Sequence, residues 1–91
     1  MKDRVKKFKA LADDSRLRVL ELLEDGPKCV SQIASKLKVP QNLLSHHLKI
    51  LREADLVQFD RAGNNIYYKL SPAVGLNKKK LELGCCSIEL R

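Results

Sequence analysis

The 91-residue chain has no tryptophan, and its aromatic residues are limited to Phe8, Phe59, Tyr67 and Tyr68. So sparse a set argues against single-stranded nucleic acid as the partner, because that recognition stacks bases on aromatic rings. No apolar run approaches the roughly 18 residues needed to span a bilayer, so no membrane partner is expected. Met1–Ala10 is charged and lacks the apolar stretch of a secretory signal, which predicts a cytoplasmic protein. Thiols stay reduced there, and an odd set of three cysteines does not make a disulfide scaffold. H-x-E…C-x-x-C, G-x-S-x-G and phosphate-cradling glycine loops are all missing, so no enzyme is expected. The adjacent His46 and His47 do not reopen that question, since on a helix they point about 100° apart and cannot share a metal. Repeats and low-complexity segments are absent too, which leaves residues 1–91 as a single domain.

What the chain does have is positive charge. Eighteen Lys and Arg against 11 Asp and Glu give a net charge of +7, which points to a polyanionic partner through counterion release. The bland reading of that charge is solubility or a ribosome-like basic surface, and a basic nucleic-acid-binding protein without a sensor function is a remote alternative. The most informative stretch is Pro40–Val57, PQNLLSHHLKILREADLV. Leu44, Leu48 and Leu51 recur at the spacing of one buried helix face. The opposite face carries Asn42, Ser45, His46, Lys49 and Glu53, with Gln41 and Arg52 at its edge. Neutral donors and acceptors followed by basic groups suit the base edges and phosphates of a major groove.

Upstream, Val5, Phe8, Leu11 and Ala12 predict a short amphipathic helix with Lys2, Arg4, Lys6, Lys7 and Lys9 on its wet side. Asp13-Asp14-Ser15 can cap a second helix, about 14–24, that turns Leu17, Val19, Leu20 and Leu23 inward and stops at Gly26-Pro27. A third helix, about 31–37, is expected to be capped by Ser31 and buried through Ile33, Ala34 and Leu37. With the turn Lys38-Val39-Pro40 and the helix after it, this forms a helix-turn-helix over about 31–54. Two β-favouring runs, 56–61 and 65–70, flank Ala62-Gly63-Asn64 and predict a hairpin wing over about 56–70 with Arg61 and Asn64 near its tip. Ser71-Pro72 can start a last helix, about 72–88, placing Val74, Leu81, Cys85 and Ile88 near one face.

LADDSRLRVLELL (Leu11–Leu23), CVSQIASKL (Cys29–Leu37), SHHLKILREADLV (Ser45–Val57) and DRAGNNIYYKL (Asp60–Leu70) resemble, in this order and spacing, the ArsR/SmtB family of small winged-helix repressors. The resemblance implies a mainly α fold with a β-hairpin wing, a winged helix-turn-helix that dimerises through its first and last helices. It implies a homodimer on double-stranded operator DNA, with no cofactor required for binding and with release by an inducer. By motif match, Gln41, Ser45 and His46 meet bases, with Asn42 and Leu43 in slots usually held by Pro and Ser/Thr. Pro40 replaces the usual Ser at the turn. His47, at the border of the buried face, takes a structural role. Arg61, Asn64, Tyr67 and Lys69 are the wing candidates, Arg61 foremost for phosphate or minor groove.

Cysteine carries the remaining chemistry. Three thiolates suit arsenic(III) or antimony(III) as inducer, and soft ligands also suit copper(I), cadmium and zinc. Cys29 matches the first cysteine of the family's arsenic box, but Ser31 and Ala34 stand where its other thiols would be. Cys85 and Cys86 would have to complete the site or form their own. The zinc and nickel branch uses Asp, His and Glu in the last helix, and here that segment has no Asp or His, which disfavours that reading. A second reading, with Cys29 and either Cys85 or Cys86 as a thiol-based redox or persulfide switch, needs no metal.

Overall fold

The leucine spacing decides most of the architecture. The computed structural model describes residues 2–72, 74–77, 80–82 and 87–89. The first helix, α1 (Lys2–Leu11), buries Ala10 and Leu11. Val5 and Phe8, expected on its inner face, are instead 50% and 45% exposed, and Ala12 is exposed as well. The reason is rotational. Ala10 and Leu11 meet the core, and Lys7, one turn before them, lies beside them with only 9% exposure. Val5 and Phe8 are thereby carried outward.

Asp13 starts α2 (Asp14–Leu23): its Oδ1 accepts from the N–H groups of Ser15 at 2.8 Å and Arg16 at 3.4 Å. That satisfies two of the amides a helix leaves open at its start. Val19, Leu20 and Leu23 are buried and Leu17 packs at their margin. The chain then reverses at Gly26, whose φ of +132° suits glycine.

A two-residue strand, β1 (Lys28–Cys29), follows, and local patterning does not anticipate it. Helix α3 (Val30–Leu37) begins one residue before the expected start. Cys29 occupies the cap position and Ser31 sits in the first turn, so Ser31 is not the cap. Gln32 accounts for the shift: its Oε1 accepts from the Cys29 N–H at 3.0 Å, closing the turn from the side-chain end. Lys38 ends α3 in the left-handed region at φ 57°, and the N–H of Val39 reaches back to Ala34 O at 3.2 Å. This tight reversal delivers Pro40 to the start of α4 (Gln41–Glu53). Leu44, His47, Leu48 and Leu51 of α4 are buried, and the three leucines join Leu20, Ile33 and Leu56 in one core. Each such leucine contributes roughly 1.5–3 kcal/mol by leaving water.

Strands β2 (Val57–Ala62) and β3 (Asn65–Leu70) form the hairpin, with Ala62 opposite Asn65 and Val57 opposite Leu70. Gly63 turns it with φ +64°, and β1 pairs on the other side of β3 to give the order β1-β3-β2. Ser71 N–H bonds to Leu56 O at 3.0 Å and closes the hairpin's base.

The helix expected over about 72–88 does not form. In its place stand β4 (Gly75–Asn77), β5 (Lys80–Glu82) and β6 (Ser87–Glu89), an antiparallel sheet in the order β4-β5-β6. The register places Leu76 opposite Leu81 and Leu81 opposite Ile88. Gly75, Asn77 and Gly84 lower helix propensity, so apolar residues too few for a helical stripe align across strands. Cys85 and Cys86, expected in that helix, lie outside the described residues. Among the described residues, no helix is long and apolar enough to cross a membrane.

Candidate nucleic-acid interface

Helix α4 presents its polar side as the periodicity requires. Gln41, Asn42, Ser45, His46, Lys49 and Arg52 are all exposed, on the side opposite the buried leucines. Its first turn has no side-chain cap, because Pro40 offers only a carbonyl, which accepts from the Leu44 N–H at 3.0 Å. Besides its buried leucines, two side-chain contacts brace this helix. At one, His47, only 6% exposed, accepts at Nδ1 from Arg16 Nε at 3.1 Å. The same guanidinium donates through Nη1 to Lys9 O at 3.2 Å and Ala10 O at 3.5 Å, carbonyls in the last turn of α1. Arg16 therefore ties α1, α2 and α4 together. At the other, Arg52 lies over the Phe59 ring, 5.3 Å from its centroid, and links the end of α4 to the wing. Phe59 in turn packs against Tyr68 with 5.8 Å between ring centroids.

Helical period alone does not single out Arg16, since its partner stands 31 residues further on. His47 is the buried, frame-holding member of the histidine pair, and His46 is the exposed one. Their ring centroids are 6.1 Å apart at 52°.

The wing candidates separate into two groups. Arg61 and Asn64 stand exposed at the tip, where β2 turns into β3. Lys69 is engaged instead: its Nζ lies 3.0 Å from Asp60 Oδ2 on the neighbouring strand. Tyr67 is half-buried, between Asp60 of β2 and Cys29 of β1 in the sheet register.

Cys29 thus sits where the wing sheet meets the start of α3. Its Sγ lies 3.2 Å from Ser31 Oγ. That hydroxyl and the backbone N–H groups of the first turn hold the thiol below its ordinary pKa, against a smaller opposing effect of burial. A helix N-terminus stabilises a thiolate in this way. Among the described residues, no three His, Cys, Asp or Glu side chains gather to hold a metal.

A polar-faced helix behind a tight turn, followed by a hairpin, is the arrangement of a winged helix-turn-helix. Residues 13–58 match the family described as bacterial regulatory protein, arsR family. The chain belongs to that family. A transcriptional repressor SmtB homolog from Synechocystis sp. is 45% identical to this arsR-family chain over 64 residues, 70% of this chain and 48% of that protein. The arsenical resistance operon repressor of Bacillus subtilis is 44% identical over 66 residues, 71% of this chain and 63% of its own length. This chain therefore spans between about half and two thirds of those relatives. Among solved structures, the homodimeric winged helix-turn-helix DNA-binding domain of Mb0332 from Mycobacterium bovis superposes with a TM-score of 0.75 at 31% identity. That match covers 77% of this arsR-family chain and 65% of the Mb0332 domain.

Proposed function

We propose that this arsR-family chain is a DNA-binding transcriptional repressor that acts as a homodimer on a twofold-symmetric operator. An inducer at cysteine thiolates, arsenite or antimonite first, releases it. The observation that carries the DNA-binding part is the exposed row Gln41, Asn42, Ser45, His46 and Lys49 on a helix whose other side is locked into the core. Amide side chains pair with adenine, hydroxyls with either base type, and Lys49 with phosphate. Arg61 and Asn64 at the wing tip add backbone contacts. The exposed Val5 and Phe8 of α1 supply an apolar patch for a second copy, as expected of a family with a homodimeric relative. No cofactor is needed for any of these contacts.

The name of the Bacillus subtilis relative supports arsenite as inducer, as does the soft-donor chemistry of Cys29, Cys85 and Cys86. One observation favours a second reading, a thiol switch: the Cys29 thiol is already held toward its thiolate by Ser31 and the start of α3. A thiolate is the form that both oxidants and persulfides attack.

Fluorescence anisotropy of the reduced protein on the DNA upstream of its own gene tests both. Release by arsenite that disappears in Cys85→Ser/Cys86→Ser supports the metalloid inducer. Binding that ignores arsenite but is lost on adding an organic polysulfide supports the thiol switch. Salt-dependent binding with no sequence preference would leave only a basic nucleic-acid-binding protein.

A further inference from the structure

We propose that Leu43 is a base-reading residue, packing its side chain against the C5-methyl group of a thymine in the major groove. The proposal rests on α4 being the DNA-reading helix. Among residues whose burial is described, every other leucine is in the core or packs against it; Leu43 does neither and is 44% exposed. Exposure alone would mean little, since isolated surface leucines are common. Position gives it meaning. Leu43 lies in the first turn of α4, the part of a reading helix whose residues meet base edges. At about 100° per residue it borders the outward side next to His46, with Asn42 just before it.

Its neighbours there, Asn42, Ser45 and His46, can all exchange hydrogen bonds with bases. Leu43 cannot. The apolar group that base pairs present in the major groove is the thymine methyl. Cytosine offers an N4 amino donor in that region, which leucine would desolvate without pairing. Leu43 therefore favours T over C at one position of a half-site, through contact with the methyl.

The test begins by selecting bound duplexes from a randomised DNA pool with the wild-type protein. In the enriched duplex, each thymine is then replaced singly by uracil, which removes only the methyl, and affinities are read by anisotropy. At one thymine of the half-site, uracil should weaken the wild type about fourfold, the effect of one buried methyl-sized group. Leu43→Ala should weaken the thymine duplex to a similar extent and bind the two duplexes equally. Leu43→Met should keep the preference for thymine. A wild type indifferent to uracil at every position would overturn the proposal, as would a Leu43→Ala variant that retains the full uracil penalty. If the pool yields no enriched sequence, sequence reading by α4 fails first and this proposal falls with it.

Discussion

Arg16 joins segments that its own helix does not connect. Its Nε serves His47, and its Nη1 serves two carbonyls in the last turn of α1. Replacing it with leucine leaves an imidazole nitrogen without a donor in a nearly closed site. The expected loss is about 1–3 kcal/mol, the usual cost of one unsatisfied buried polar group. Urea unfolding should show it as a lower midpoint, and Arg16→Leu/His47→Leu should recover part of it because no polar group is then stranded. Cys29 offers a second measurement. Its thiol is held below the ordinary cysteine value, chiefly by Ser31 and the first-turn amides. The thiolate therefore persists to lower pH than in an unstructured peptide, and the iodoacetamide rate should reach half its maximum at a lower pH in the folded protein. Ser31→Ala should move that midpoint upward, and an unchanged profile would show that the hydroxyl is not responsible.

The turn between α3 and α4 depends on Lys38, a non-glycine residue at φ 57°. A left-handed backbone costs an L-residue roughly 1–2 kcal/mol, which glycine avoids. Lys38→Gly should raise the melting temperature by an amount equivalent to about 1 kcal/mol, even though it removes a basic charge just before α4. On the wing, Asp60 holds Lys69. Asp60→Asn frees that ammonium for phosphate, so DNA binding should tighten and the slope of log K against log salt should steepen by about 0.9 per protomer. An unchanged slope would mean that Lys69 faces away from the duplex. These elements also show what the sequence could and could not reveal. Helices α2, α3 and α4 were readable because leucines at helical spacing had one solution, and the hairpin because Gly63 marks its turn. Strand β1 was not readable, since two residues acquire strand geometry only by pairing with Tyr67 and Tyr68 on β3. The Lys69–Asp60 pair was hidden for the same reason, because it depends on cross-strand register.

At the scale of the molecule, two expectations from the sequence came out differently at the ends of the chain. The spacing of apolar residues on α1 predicts a core face, yet Val5 and Phe8 face outward because a periodic stripe does not say which partner it meets. The terminal segment looked helical from a few spaced apolar residues, but its glycines and aligned Leu76, Leu81 and Ile88 favour strands. The first difference carries a prediction about assembly. If α1 joins two copies, Phe8→Glu should shift the protein from dimer to monomer in sedimentation velocity while leaving its circular dichroism spectrum intact. Operator affinity should fall steeply in the same variant, because two half-sites are no longer bound together.

The bond between Arg16 and His47 also has a consequence for metal selectivity. Imidazole is the commonest protein ligand for transition metals, and it binds them through an unprotonated ring nitrogen. Here Nδ1 already accepts from a guanidinium that cannot give up its charge, so the proton resides on Nε2. The Nδ1 lone pair of His47 is thus already engaged by Arg16. The framework beneath α4 is thereby kept from engaging such ions through its buried histidine.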